Sequence, residues 1–217
     1  MIDFSGRRVM MVDTQVRPSD VTKFPIIEAM LSVQREAYVP DAAREAAYMG
    51  ENLFLAPGRV LLEPRTFAKM LDALDITPTT RVLDVGCGLG GSTAVLARLA
   101  AHVTALEEDA TLATEARRRL AAEASGGITL VTGPLAAGHP GGAPYDVIVI
   151  EGGVETVPDV LTEQLVDGGR IAALFMDRAL GVVKIGHRAG GQIDWRFAFN
   201  ASAPVLPGFV AARGFVL

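Results

Sequence analysis

The run Arg81-Val82-Leu83-Asp84-Val85-Gly86-Cys87-Gly88-Leu89-Gly90-Gly91-Ser92 constrains this chain more than any other. Val82, Leu83 and Val85 read as a buried parallel strand, apolar on both faces. The strand runs into a glycine-rich turn, and the spacing of Ala94, Val95, Leu96 and Leu99 predicts an amphipathic helix over Ser92–Ala101. Glycines permit backbone angles that other residues resist, and they let a ligand approach the main chain. A helix start after the turn leaves N–H groups for an electronegative ligand. Strand, glycine turn and helix together make the nucleotide-binding turn of a Rossmann-like fold.

Gly86, Gly88 and Gly91 satisfy the dinucleotide spacing G-x-G-x-x-G, and Glu107 lies about 20 residues on, where a ribose-binding acid belongs. Asp84 changes the reading. Dinucleotide sites carry an apolar residue there, two positions before the first glycine. A carboxylate at the end of the strand suits an ammonium group, which S-adenosylmethionine has and a dinucleotide lacks. The chain after the motif is also too short for the separate substrate domain of a dehydrogenase. The expected cofactor is therefore S-adenosylmethionine, with a nicotinamide-dependent oxidoreductase as the lesser alternative.

Alternation continues after the turn. Strands are expected at His102–Leu106, Ile128–Thr132, Tyr145–Ile150 and Arg170–Phe175, with helices at Ala110–Glu123 and Val157–Leu165. This pattern means a parallel sheet with right-handed crossovers. Gly190-Gly191 between Val182–His187 and Ile193–Phe199 predicts a β-hairpin, with Ile193, Trp195, Phe197 and Phe199 on one core-facing side. Ahead of the glycine turn, residues 1–19 read as a polar, aperiodic arm lying over the domain or a partner. A helix capped by Asp20 carries Ile26, Ile27, Met30 and Leu31, and another runs over Ala42–Met49. Gly50–Pro64 reads as loop, and a third helix buries Phe67, Met70, Leu71 and Leu74. The expected fold is α/β: a seven-stranded, mostly parallel, doubly wound sheet of the methyltransferase form. It has an N-terminal helical extension (residues 1–78), a cofactor-binding core (79–177) and a C-terminal hairpin and tail (178–217), all one domain.

Composition excludes several classes. The 217 residues are 50% hydrophobic and 21% charged, enough for one well-buried α/β domain. A net charge of −5 argues against a nucleic-acid surface, which needs a basic face. The single cysteine, Cys87, excludes an internal disulfide and argues against a metal site; between two glycines, its small size matters more than its thiol. The Arg117-Arg118-Arg119 run reads as a solvated helix face. No apolar run is long enough for a membrane span and no signal-peptide core is evident near the start, so a cytoplasmic protein with no membrane or nucleic-acid partner is expected.

The chain resembles the protein-L-isoaspartate O-methyltransferase family from about Val12 to Phe175. The resemblance is carried by Gln34-Arg35-Glu36-Ala37-Tyr38-Val39-Pro40, Ala47-Tyr48, the loop Gly58–Pro64, Val82–Gly90, Pro144-Tyr145-Asp146, Val157-Pro158 and Gly168-Gly169-Arg170. It implies S-adenosylmethionine as methyl donor, S-adenosylhomocysteine as product, and a carboxyl group of an altered aspartyl residue in a protein or peptide as acceptor, in the service of protein repair. Asp84, Gly86, Cys87, Gly88 and Gly90 match the family's cofactor turn, and Glu107 matches the acid on the ribose hydroxyls. Glu108, Pro134, Leu135 and Glu151 complete the expected cofactor site. Two departures stand out. Where the family's loop reads Gly-Gln-Thr-Ile-Ser-x-Pro, this chain has Gly58-Arg59-Val60-Leu61-Leu62-Glu63-Pro64. The hydroxyl that should orient the acceptor is thus Leu62, and the one before it is Val60, so no catalytic residue is assigned. Gly133-Pro134-Leu135 replaces Gly-Asp-Gly after the third strand, leaving adenine to apolar contact or main chain. Arg59 and Arg65 read as surface charges, with a clamp for an anionic acceptor as the lesser alternative. A methyltransferase with a different acceptor, an unidentified small acid among them, and a non-catalytic cofactor-binding relative are the alternatives.

Overall fold

The computed structural model describes residues 3–123 and 127–211; the expected tail beyond 211 and the first two residues lie outside the described residues. Seven strands form the main sheet: β3 (Arg81–Val85), β4 (His102–Glu107), β5 (Ile128–Thr132), β6 (Tyr145–Val154), β7 (Leu165–Asp177), β8 (Leu180–Ala189) and β9 (Gln192–Asn200). Their order is β5-β4-β3-β6-β7-β8-β9, parallel through β7 and antiparallel beyond it. The order reverses between β3 and β6, so the crevice outside their carboxyl ends is the topological switch point where such sheets bind ligands. The predicted hairpin is present, with Gly190 and Gly191 both at positive φ as a tight antiparallel turn demands.

Two apolar layers cover the sheet. One buries Val82, Val147, Val149 and Ala172 under the N-terminal helices, and the other buries Leu83, Val85, Ile148 and Ile150 with Leu161 and Leu206. Successive residues of β3 therefore face opposite layers, as the pleat requires. Helix α3 (Pro64–Leu74) buries Phe67, Met70, Leu71 and Leu74 as expected. Helix α2 (Phe24–Ser32) starts later than predicted: Lys23 is its cap, while Asp20 turns back in a left-handed conformation.

Other expectations are corrected. Residues 3–19 do lie over the domain, but they are helical rather than aperiodic: α1 (Phe4–Met11) is capped by Asp3 and continues into a wider turn over Val12–Val16. Arg8 fixes it, donating to Tyr48 Oη at 3.0 Å and lying 3.4 Å from Glu36 Oε1. Ala42–Met49 forms only a short 3-10 stretch (Asp41–Ala46), since the Ala47 and Tyr48 carbonyls accept from Arg35 and Gln15 instead. Gly50–Pro64 contains a separate hairpin, β1 (Leu53–Ala56) and β2 (Arg59–Leu61). The helix after the glycine turn, α4, spans only Gly91–Leu96. Helix α5 (Ala110–Leu120) ends sooner than expected, and α6 is cut to Asp159–Thr162.

The face assigned to β9 also changes. A bulge between Val183 and Lys184 shifts the register so that Val183 pairs with Phe199 and Lys184 with Phe197. Phe199 therefore joins the layer under the N-terminal helices, Ile193 and Trp195 join the other, and Phe197 is left 67% exposed. An extra residue in one strand turns the remainder of that strand to the opposite face. Arg117 and Arg118 are solvated, but Arg119 turns inward to donate to the Ala37 and Val39 carbonyls.

Candidate functional site

Three carboxylates meet at the carboxyl end of the sheet: Asp84 near the end of β3, Glu107 closing β4, and Glu151 late in β6. All three are buried, Asp84 and Glu107 completely. Strand alternation puts Asp84 on the same face as Val82, toward α4, where the hydroxyls of Ser92 (2.8 Å) and Thr93 (2.6 Å) donate to Oδ2. Its other oxygen, Oδ1, has no hydrogen-bond donor. Burial pushes the Asp84 carboxyl up to about 6 against the pull of the two hydroxyls. Glu151 owes its aim to an irregularity: between Val149 and Gly153 the register of β6 on β7 slips. Bulges recur beside functional sites because they re-aim a side chain. Glu151 Oε1 also lacks a donor. Burial, and then the charge of Asp84, push its carboxyl well above the usual range.

The turn between β3 and α4 holds Gly86, Gly88 and Gly90 at φ of 85°, 58° and 93°. Side chains strain in this left-handed region, which is why glycines occupy it. Gly91 serves differently: a β-carbon there would lie 3.1 Å from Leu61 and from Tyr38, so it lets the α4 start pack against the N-terminal region. Four N–H groups of the turn itself are already used within the protein. Gly86 and Cys87 donate to the Leu106 carbonyl, Gly88 to Glu107 Oε2 at 2.8 Å, and Gly90 to the Cys87 carbonyl. Cys87 is buried and its thiol is pushed up by burial and by Asp84, so it carries no reactive thiolate.

Arg59 is the residue that sequence reasoning misplaced most. Far from being a surface charge, it is 4% exposed. It reaches from β2 to Glu107 with two parallel hydrogen bonds, Nη1 to Oε1 at 2.7 Å and Nη2 to Oε2 at 2.5 Å. Glu107 also accepts from the backbone N–H groups of Gly88, Glu108 and Asp109. Nothing in a loop read as irregular reveals this. The signal is geometric: a hairpin places alternate residues on one side, and β2 begins beside the glycine turn. Arg65 does stay at the surface, 3.8 Å from Glu63.

Two segments cover the glycine turn. From β1, a Leu55 methyl carbon would lie only 2.6 Å from a β-carbon built on Gly88. From the chain after β9, Leu206 packs against Gly86 and Gly152, and Gly153 exchanges hydrogen bonds with Pro204 and Leu206 along an added length of strand. Of the remaining expected site residues, Leu135 is fully buried near Gly86, while Pro134 and Glu108 are exposed. The Leu135 N–H donates to Glu108 Oε2 at 3.4 Å.

Leu62 is fully buried and lines a narrow, mostly apolar cavity with Met11, Met30, Phe67, Val95 and Glu151. Its backbone is fixed from the Arg35-Glu36-Ala37-Tyr38 segment: Arg35 Nη2 donates to the Leu62 carbonyl at 2.6 Å and Nε to the Ala47 carbonyl at 2.7 Å. Burial lowers the Arg35 pKa to about 10, which still leaves it charged at neutral pH. Glu36 in turn accepts from the Tyr48 hydroxyl. Arg35 and Glu36 of this segment, with Tyr48, thus fix the loop that carries Leu62. No nearby hydroxyl substitutes for the missing one. Thr66 donates to Glu63 at 2.6 Å, and Ser92 and Thr93 are committed to Asp84.

Comparison with known proteins agrees with this geometry. The family model described as protein-L-isoaspartate(D-aspartate) O-methyltransferase matches residues 9–190. The chain is 38% identical over 169 residues to a protein-L-isoaspartate O-methyltransferase of Methylorubrum extorquens, covering 78% of this chain and 74% of that protein. It is 34% identical to protein-L-isoaspartate O-methyltransferase 2 of Pelobacter propionicus, covering 88% and 84%. In fold it matches the crystal structure of a putative protein-L-isoaspartate O-methyltransferase from Plasmodium falciparum in complex with S-adenosyl-L-homocysteine. There the TM-score is 0.78 at 16% identity, over 95% of this chain and 99% of the other. The nicotinamide alternative falls with these matches: the chain belongs to the protein-L-isoaspartate(D-aspartate) O-methyltransferase family.

Proposed function

We propose that the chain is an S-adenosylmethionine-dependent O-methyltransferase acting on a carboxyl acceptor, with its cofactor site at the glycine turn. The observation that carries this reading is Asp84: a fully buried carboxylate at the switch point, with one oxygen lacking a donor, beside three left-handed glycines. A buried acceptor without a partner is costly, and a ligand bearing an ammonium group relieves that cost. Glu107 is already paired with Arg59, which leaves Asp84 as a buried acid open to a cationic group.

When bound, S-adenosylmethionine supplies an electrophilic methyl group on a sulfonium sulfur. Asp84 holds the ammonium group, Glu107 is the acid for the ribose hydroxyls, and Leu135 offers an apolar surface for the base. An ionised carboxylate acceptor needs no general base, so the chain's task is to hold the reactants in line. The Leu62 wall provides no hydrogen bond to a carboxylate oxygen. An isoaspartyl peptide is therefore a poor acceptor, and an acid with an apolar body suits the cavity better.

The test is isotope-labelled methyl transfer to an isoaspartyl peptide and to a panel of small carboxylic acids. Transfer to at least one acid, lost in Asp84→Ala, is expected. No transfer to any acceptor despite intact cofactor binding would support the second reading, a cofactor-binding relative without catalysis. The Arg59 bonds to Glu107 are the observation that favours it.

A further inference from the structure

We propose that Arg59 is a resident competitor for the ribose site, so that cofactor binding requires its guanidinium to leave Glu107. The inference rests on the reading that S-adenosylmethionine binds at the glycine turn. Glu107 accepts five hydrogen bonds: two from Arg59 and three from the backbone of Gly88, Glu108 and Asp109. A carboxylate offers about four lone-pair positions, so none is left for a ribose diol. The backbone donors are fixed by the turn, and only the Arg59 pair can be given up.

The position of the guanidinium makes the competition direct. Arg59 Nη2 lies 3.2 Å from where a Gly86 β-carbon would stand, against the main chain that a nucleoside must approach. It arrives on a hairpin outside the main sheet, whose turn carries Gly58 at φ 70°. The same hairpin lays Leu55 on Gly88, so release of Arg59 and uncovering of the turn belong to one movement.

The ion pair is also self-sufficient while the site is closed. Two parallel N–H···O bonds to a buried carboxylate are the strongest neutralising contact a protein offers an acid. A protein whose binding-competent state is only a fraction of the population binds its ligand more weakly by that fraction. Arg59 thus sets the affinity for the cofactor. Glutamine can donate only from a neutral amide and leaves the carboxylate easier to recruit.

The experiment is calorimetric titration of the unmodified protein, Arg59→Gln and Arg59→Lys with S-adenosylhomocysteine and, separately, with adenosine. Folding of each variant is checked by circular dichroism. Both ligands should bind Arg59→Gln at least tenfold more tightly than the unmodified protein. Arg59→Lys, which keeps the charge and loses the two-pronged contact, should fall between. If Arg59→Gln does not fold, the lysine variant decides the matter by the same ordering. Adenosine is neutral, so its tightening separates release of the ribose site from a simple change of local charge. Tightening of S-adenosylhomocysteine alone would overturn the proposal, as would equal affinities in all three proteins, which would leave the cofactor reading standing. No binding by any of them would overturn both.

Discussion

At the scale of single residues, Asp84 and Leu62 carry the functional argument. Asp84 has an unusual sign of pH dependence. Its folded pKa, about 6, lies above the ordinary value of 3.8 because burial outweighs the hydroxyls of Ser92 and Thr93. The folded state therefore holds its proton longer than the unfolded chain. Stability falls as pH rises from about 4 through 6 and stays reduced above, the reverse of a salt-bridged aspartate. Asp84→Asn keeps an oxygen for both hydroxyls without the buried charge. Its stability advantage over the unmodified protein should grow by about 2 kcal/mol between pH 4 and pH 7.5, read from urea unfolding at each pH. An advantage independent of pH would contradict the raised pKa. Leu62 was legible as a departure, and the structure shows what the departure does: it completes an apolar wall. Leu62→Ser with Val60→Thr should raise isoaspartyl methylation about tenfold to a hundredfold. The serine leaves a partly filled apolar site, so a loss of about 2–4 kcal/mol in unfolding free energy is expected alongside. Unchanged methylation with cofactor binding intact would mean that the acceptor is not oriented at this position.

At the scale of elements, legibility tracked how local the causes were. The glycine turn, α3 and the β8–β9 hairpin were readable because spacing and turn chemistry determine them. The β1–β2 hairpin was hidden: its strands are four and three residues long, its contacts with Gly88 and Glu107 join positions far apart in the chain, and Pro57 and Gly58 looked like loop residues. The strand-like segment after β9 was hidden for the same reason, since its pairing with Gly153 joins positions about 50 apart in the chain. Yet these two segments cover the site, one with Leu55 and Arg59, the other with Leu206. Gly152-Gly153 is explained by that covering. A β-carbon at Gly153 would lie 2.7 Å from the Ala203 carbonyl, a backbone atom that cannot yield cheaply. Gly153→Ala should therefore lift the segment: amide exchange over residues 201–209 should rise at least tenfold relative to the main sheet, measured by hydrogen–deuterium exchange. Unchanged protection there would mean that the segment is held by other contacts. Arg35 is the other hinge of the element-level account. Arg35→Met strips the Leu62 and Ala47 carbonyls of their donor and should cost about 2–4 kcal/mol in unfolding free energy. A loss below about 1 kcal/mol would show that the loop is held without it.

For the whole molecule, alternation of strand and helix was enough to anticipate a seven-stranded, mostly parallel sheet with an antiparallel end, and the family match bears it out. Strand order was beyond reach from local pattern, although it decides where the site lies. Only after β3 and β6 are seen as neighbours on the reversing side do Asp84, Glu107 and Glu151 become one site. Among the described residues, no helix is long and apolar enough to cross a membrane, and no group of histidine, cysteine and acidic side chains could hold a metal ion. Buried carboxylates surround the glycine turn, and on the proposed reading Asp84 selects a ligand that bears an ammonium group. The most direct measurement of that selection is calorimetric titration of the unmodified protein and Asp84→Ala with S-adenosylhomocysteine and with NADH. S-adenosylhomocysteine should bind the unmodified protein at one site, weaken at least tenfold in Asp84→Ala, and have no counterpart in NADH; binding that ignores Asp84, or a preference for NADH, would contradict the assignment of the site.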